Sequence, residues 1–316
     1  MKIVASSLLF GALISVAVAQ TAPTPATTSA PAATSPAATT PAATPPAAAA
    51  RPASSNTHPV SVNITDRLTK SPRHFDIVKI KQGDREVETY IFYPATKDKA
   101  MAVVLIHEIY GLSDWMRAAA DQLAEAGYIV LVPDLLSGQG PNKGGTLDLP
   151  ESQVTVAVTK LDPNQVTADL NAVVDYAKKL DAYNGNIAVA GFCWGGGKAF
   201  AFATANKDIK AAFVFYGAPM LPAAEMPKIN VPIYGFYGQT DSRLSAGVPA
   251  EQEAMKAAGK TYDAIVYDGA AHGFMRLGQM DNATPANKKA AEESWKRWLD
   301  LLARINTAAP APKPAS

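Results

Sequence analysis

A cysteine flanked by glycines is the first candidate for chemistry in this sequence. Cys193 lies in the heptapeptide GFCWGGG at residues 191–197, directly after an apolar run that predicts a buried strand. The residues that follow predict a helix, so Cys193 would sit on a sharp turn where glycines leave room for tightly packed backbone. Such a turn is typical of a catalytic nucleophile. A free cysteine is equally typical of a small buried hydrophobic residue, and the heptapeptide alone leaves both interpretations open.

Two further candidates, Asp241 and His272, each follow an apolar run that predicts a strand. Open α/β sheets bind ligands at the carboxyl ends of their strands, so we expect both side chains near Cys193. A thiol with an ordinary pKa of about 8.5 is mostly protonated at neutral pH and needs a base. His272 would accept that proton, and Asp241 would orient the imidazole and stabilise the imidazolium. Asp268 is a competing acid, but its place four residues before His272 suits a loop-shaping role better.

The segment HEIYG at residues 107–111 follows another predicted strand. In an α/β-hydrolase fold the loop after this strand supplies one oxyanion-hole amide, so the backbone N–H groups of Ile109 and Trp194 are the expected pair of donors. Glu108 is a carboxylate in the same region, whereas His107 is better explained by a hydrogen bond within its own loop. The four histidines show no metal-ligand spacing, and we expect neither a metal nor an organic cofactor.

The elements that must position these residues alternate between strand and helix patterns. Predicted strands lie at residues 75–80, 87–93, 102–106, 128–132, 187–190, 211–216, 233–237 and 264–267. Predicted helices lie at residues 114–126, 168–180, 249–258 and 286–305. This order predicts a single-domain α/β-hydrolase fold, with an opening antiparallel pair, a mostly parallel doubly wound sheet and helices on both faces. Residues 137–161 are Gly-rich and have the composition of an insertion, and Trp295 and Trp298 are expected in the core.

The two ends of the chain have the composition of processing and spacer segments. Residues 1–19 predict a secretory signal peptide, which we favour over a membrane anchor because serines interrupt the apolar run. Residues 20–71 predict a disordered Ala/Pro/Thr-rich linker, 72–307 the folded domain, and 308–316 a disordered tail. The mature protein is therefore expected to be exported, to the periplasm or medium, without a membrane span.

Charge and cysteine content exclude two other classes of function. The formal net charge of +1 and the lack of a basic stripe argue against nucleic acid as a partner. Cys193 is the only cysteine in the chain, so no intramolecular disulfide is possible. A redox-sensing thiol would favour a second, resolving cysteine, and the sequence has none.

The motifs GFCWGG, HEIYG and HGF at 272–274, together with Asp241, resemble the dienelactone hydrolase family over the whole predicted domain. The resemblance implies a Cys-Asp-His triad in which Cys193 attacks a lactone or ester carbonyl and His272 then activates water. It also implies that Glu108 holds the resting thiol and helps to deprotonate it when substrate binds. Arg276 matches one arginine of the family's carboxylate-binding pair, and the second arginine has no counterpart.

Two hypotheses of function follow. The first is an exported, monomeric hydrolase of the carboxymethylenebutenolidase type whose partner is a small-molecule ester or lactone. The second is a non-catalytic, envelope-associated binding protein that keeps the hydrolase fold. The second predicts a degraded set of catalytic residues, and the complete set in the sequence favours the first, although fold resemblance alone does not establish activity.

Overall fold

The computed structural model describes residues 62–218 and 223–307, and the strands within them form one sheet. The strands are β1 (Phe75–Gln82), β2 (Arg85–Phe92), β3 (Ala100–Ile106), β4 (Ile129–Pro133), β5 (Tyr183–Phe192), β6 (Ala212–Phe215), β7 (Ile233–Gly238) and β8 (Tyr262–Tyr267). Their order across the sheet is β1-β2-β4-β3-β5-β6-β7-β8. β2 is antiparallel to β1 and β4, and every later pair is parallel. The predicted sheet is confirmed, and the carboxyl ends of β3 and β5–β8 share one edge.

Helices pack on both faces of this sheet, as predicted. They are α1 (Val62–Lys70), α2 (Asp114–Glu125), α3 (Glu151–Thr159), α4 (Pro163–Ala177), α5 (Trp194–Ala205), α6 (Ser242–Ser245), α7 (Val248–Ala257), α8 (Phe274–Leu277) and α9 (Pro285–Thr307). Residues of α2 and α9 join one apolar cluster, and residues of α4, α5 and α7 join another. Strand β3 is buried throughout and contributes its odd-numbered residues to the first cluster and its even-numbered residues to the second.

The closing helix α9 completes the first of these clusters. Trp298 is fully buried, and its ring meets that of Trp295 edge-on at 5.2 Å between centroids. Trp298 also packs edge-on against Phe215 of β6, at 5.0 Å. Trp298 therefore belongs to the core, as expected, whereas Trp295 is partly buried and packs against it. The ring contacts hold α9 against β6.

The folded structure begins before the boundary predicted at residue 72. Helix α1 places Ile64 and Leu68, four residues apart, on its buried face. Immediately after it, Ser71 Oγ donates to Asp121 Oδ1 at 2.6 Å, and Arg73 Nη2 pairs with Asp121 Oδ2 at 2.6 Å. The prediction of a structureless linker up to residue 71 is therefore wrong over α1, because a short amphipathic segment follows the Ala/Pro/Thr-rich one.

Residues 137–161 are more structured than a glycine-rich insertion suggests. They form two short 3₁₀ turns, at Pro141–Lys143 and Thr146–Asp148, and then α3. The segment contributes to a small separate apolar cluster, which consists of Leu136, Leu149, Val154 and Val158. The sequence did not predict α3, because its two buried valines are too few to set a clear helical period.

The predicted signal peptide, the linker before residue 62 and the tail at 308–316 lie outside the described residues. Within residues 62–218 and 223–307, no helix is both long enough and apolar enough to cross a membrane.

Glu251, a buried residue of α7, predicts a measurable pH dependence of stability. Burial raises the pKa of its carboxyl from 4.5 to about 7, against a hydrogen bond from Tyr262 that lowers it. The folded state therefore binds the proton more tightly than the unfolded chain does. Protonated Glu251 contributes to the free energy of unfolding, and this contribution is complete below about pH 4.5 and is lost as pH rises to about 7. In the wild type, this titration should lower the free energy of unfolding by on the order of 2 kcal/mol as pH rises, allowing for partial solvent screening. We expect Glu251→Gln to abolish that decrease.

Urea unfolding of both proteins at pH 5 and pH 8 checks this expectation. The free energy of unfolding of the variant, relative to that of the wild type, should be higher at pH 8 than at pH 5. An equal pH dependence in the two proteins would mean that Glu251 titrates normally in the fold.

Candidate active site

The turn between β5 and α5 holds Cys193 in a backbone conformation that side chains rarely adopt. Its φ is 55° and its ψ is −116°, and its N–H donates to Phe215 O at 3.0 Å. A Cβ on Gly196 would lie 2.8 Å from that same oxygen, and a Cβ on Gly191 would lie 2.9 Å from Gly196 N. The glycines thus let strand and helix approach closely enough to hold the strained cysteine at the sheet edge.

Cys193, His272 and Asp241 form a hydrogen-bonded chain. His272 Nε2 lies 3.1 Å from Cys193 Sγ, and His272 Nδ1 lies 2.6 Å from Asp241 Oδ2. Asp268 is exposed, and Asp241 is the acid that contacts the imidazole. A chain of this geometry can move the thiol proton to His272 while the carboxylate stabilises the imidazolium that results.

The loop that carries His272 is hydrogen-bonded to the segment that follows β7, where Asp241 lies. Ala270 O accepts from both Thr240 N and Thr240 Oγ1, each at 2.9 Å. On the other side, Asn287 Oδ1 of α9 accepts from Ala271 N at 2.9 Å. The acid and the histidine are therefore aligned by hydrogen bonds that hold the backbone of the loop from both sides.

The thiol itself is kept protonated by its surroundings. Burial, and after it the charge of Glu108, raise the pKa of Cys193 to about 11. Hydrogen bonds from the backbone of Trp194 and Ile109 oppose that rise, so both predicted oxyanion donors are aimed at the sulfur. The charge of Arg243 also lowers the thiol pKa. Arg243 is exposed and lies two residues after Asp241, a position that carries no sequence signal for a role at the site.

Glu108 is a buried carboxylate with two partners. Its Oε2 accepts from Arg276 Nε at 3.1 Å, and its Oε1 accepts from Tyr216 OH at 3.3 Å. Burial raises the pKa of Glu108, and the opposite charge of Arg276 lowers it. Arg276 also lies over the ring of Tyr110, 5.2 Å from its centroid. The structure thus brings both Glu108 and Arg276, as predicted, to the edge where Cys193 lies.

Tyr216 is a site residue that the sequence analysis missed. It follows β6 with a φ of 41°, and its ring meets the imidazole of His272 edge-on, 5.1 Å between centroids. It therefore contacts both Glu108 and His272. The available signal was its place at the carboxyl end of a predicted strand, directly before a glycine.

His107 has a supporting place beside this site. Its Nδ1 lies 2.8 Å from Glu108 O, within its own loop as expected, and its ring stacks on Trp194 at 5.5 Å between centroids. Among the described residues, no three His, Cys, Asp or Glu side chains are grouped so that they could hold a metal ion.

Comparison with known proteins places this chain in a family. The model of the dienelactone hydrolase family matches residues 87–306, which is more than half of the chain. The chain belongs to the dienelactone hydrolase family. The match begins within β2, continues through the rest of the sheet and includes all of the site residues described in this subsection. As a member of this family, the protein is an ester or lactone hydrolase with a small-molecule substrate.

Individual relatives agree with this family. A protein of Methylorubrum extorquens named "Putative carboxymethylenebutenolidase" is 30% identical over 242 residues, which cover 73% of this chain and 81% of that protein. An Escherichia coli K12 protein of the same name is 30% identical over 231 residues, covering 69% and 82% of the two chains. The crystal structure of a "Putative Dienelactone Hydrolase" from Klebsiella pneumoniae superposes with a TM-score of 0.65 at 24% identity, covering 74% of this chain and all of that one, and shows the same fold.

Proposed function

We propose that this hydrolase is exported and cleaves a small ester or lactone through an acyl-enzyme on Cys193. The observation that carries the proposal is the continuous chain from Cys193 Sγ through His272 to Asp241, with heavy-atom distances of 3.1 and 2.6 Å. A non-catalytic binding protein has no need of such a chain. Export rests on the apolar, serine-interrupted segment at residues 1–19.

In this mechanism His272 takes the proton of Cys193, and the thiolate attacks the substrate carbonyl carbon. The amides of Ile109 and Trp194, which point at the sulfur in the free enzyme, donate to the carbonyl oxygen as it becomes an oxyanion. The tetrahedral intermediate collapses to a thioester, and His272 protonates the departing oxygen. His272 then takes a proton from water as the water oxygen attacks the thioester carbon. The second tetrahedral intermediate breaks its C–S bond, which releases the acid and the Cys193 thiolate, and the thiolate recovers its proton from His272.

Glu108 and Arg276 have separate roles in this proposal. The negative charge of Glu108 raises the pKa of the thiol, so the resting sulfur stays protonated and is a poor target for oxidants. Arg276 presents a guanidinium beside the site and would bind an anionic group of the substrate. A substrate carboxylate there would compete with Glu108 for Arg276 and leave Glu108 free to assist deprotonation of the thiol.

The experiment compares the wild type with Cys193→Ala and Cys193→Ser on three substrates: p-nitrophenyl acetate, an unsubstituted lactone and a carboxylate-bearing dienelactone. We expect the alanine variant to lose all turnover above background, because Cys193 is the only thiol in the chain. A preference of the wild type for the carboxylated lactone would support the role of Arg276.

Equal turnover by the wild type and Cys193→Ala would overturn the assignment of the nucleophile. If the wild type hydrolyses nothing in the panel while its thiol is reduced and titratable, the proposed substrate class fails. The hypothesis of a binding protein on a hydrolase fold would then gain support.

A further inference from the structure

We propose that Thr146 is a positioning residue for acyl transfer: its hydroxyl ties residues 137–161 to the loop that carries the Ile109 amide. This inference rests on the proposed function, since it concerns the donor to the oxyanion. Thr146 lies far along the chain from that loop, and the family motifs do not include it.

Thr146 is held on one side by Asp134, the residue that follows β4. Asp134 Oδ2 accepts from Thr146 N at 2.6 Å, and Asp134 Oδ1 accepts from Thr146 Oγ1 at 2.7 Å. Asp134 Oδ1 also accepts from Leu136 N at 3.0 Å. Asp134 and Thr146 are 1% and 2% exposed, so these bonds form away from water and fix the hydroxyl in one orientation.

On its other side the same hydroxyl accepts from Leu112 N at 3.1 Å. Leu112 is the first residue after the segment 107–111. Within that segment Gly111 N donates to Glu108 O at 3.1 Å, closing a turn that contains Ile109. Thr146 therefore anchors the far end of the turn whose amide points at Cys193.

Gly111 shows how closely Thr146 packs on this turn. Its φ is 63°, in the left-handed region. A Cβ built there would collide with the Thr146 side chain, whose own Cβ would be only 3.1 Å away. The glycine is thus needed both for the turn and for the approach of Thr146.

The segment containing Thr146 also supports the second amide donor. The Trp194 side chain packs against the apolar cluster of Leu136, Leu149, Val154 and Val158. Its ring also stacks on His107, which begins the loop with the other donor. Residues 137–161 therefore contact both sides of the expected oxyanion site, and Thr146 supplies the polar contact.

Thr146→Val tests this role, because it keeps the shape of the side chain and removes the hydroxyl. A displacement near 1 Å of a group in the site lowers rates by up to about a hundredfold, so we expect kcat for p-nitrophenyl acetate to fall about 10- to 100-fold with little change in KM. Hydrogen exchange of the backbone in residues 107–113 should become faster. Alkylation of Cys193 by iodoacetamide, which forms no oxyanion, should stay within about twofold of the wild type.

Two matched variants control for a general loss of packing. Thr146→Ser restores the hydroxyl and should recover most of kcat. Thr159→Val makes the same change in α3, at an exposed threonine whose Oγ1 donates to Val156 O at 3.0 Å, and should leave kcat unchanged. Thermal denaturation of each variant verifies that it is folded at the assay temperature.

Several outcomes overturn the inference. A wild-type kcat in Thr146→Val would overturn it, whether or not hydrogen exchange in residues 107–113 changes. The inference also fails if kcat falls in Thr146→Val and Thr146→Ser does not restore it. It fails too if the rate of alkylation of Cys193 falls by as much as kcat does. If the wild type itself hydrolyses no ester, the proposed function fails, and the positioning role fails with it. The exchange measurement then reports separately whether Thr146 holds the loop.

Discussion

Replacing His272 with glutamine is expected to lower kcat/KM for p-nitrophenyl acetate by about a thousandfold or more. The thiol pKa of about 11 explains the size of the effect. At pH 7 a group with that pKa is ionised in only about one molecule in ten thousand, so the unaided sulfur is almost wholly unreactive. His272 Nε2, 3.1 Å from the sulfur, is the group placed to remove the proton.

The pH profile separates a lost base from a damaged site. The residual rate of His272→Gln should rise about tenfold per pH unit above neutrality, because the thiolate must then form without help. The wild type should show a much flatter profile over the same range.

His74→Gln is the matched control for this experiment. His74 Nε2 also faces a carboxylate, Asp76 Oδ1 at 3.0 Å, but the side chain is exposed and distant along the chain from the site. It should retain the wild-type rate. A His272→Gln variant that kept both the rate and the profile of the wild type would remove His272 from the mechanism.

The proximity of Cys193, Asp241 and His272 could be predicted from the sequence because each of them follows a strand of one parallel sheet. Residues that follow parallel strands of one sheet must meet at one edge, whatever the lengths of the connections between them. The glycine spacing around Cys193 added the turn that presents the sulfur. Neither argument needs side-chain packing.

Tyr216 and Thr146 could not be found in that way, because both act through packing between segments distant in sequence. Tyr216 meets Glu108 from the next strand but one, and Thr146 meets Leu112 from a segment whose composition suggested only an insertion. A single residue at a contact between two distant segments belongs to no periodic pattern or motif that the sequence would reveal. The short helices α1 and α3 were missed for a related reason, since two buried apolar side chains mark the face of each among the side chains that the structure describes.

Glu108→Gln is expected to speed the chemical modification of Cys193 and to slow hydrolysis by the enzyme. Removing the carboxylate charge removes one of the causes that raise the thiol pKa, so alkylation by iodoacetamide at pH 7 should become up to about tenfold faster. Inactivation by hydrogen peroxide should accelerate in parallel. Hydrolysis of the carboxylate-bearing lactone should instead fall at least about tenfold, because Arg276 loses its charged partner and the thiol loses an accessory base.

The direction of the alkylation change distinguishes two roles for this carboxylate. Were Glu108 the base that ionises the resting thiol, its removal would slow alkylation. Its two oxygens instead accept from Arg276 and Tyr216, while His272 occupies the position next to the sulfur. Its charge then acts on the resting thiol only by making ionisation harder. Glu251→Gln, the same change at another buried glutamate, should leave alkylation unchanged, and slower alkylation in Glu108→Gln alone would contradict this role.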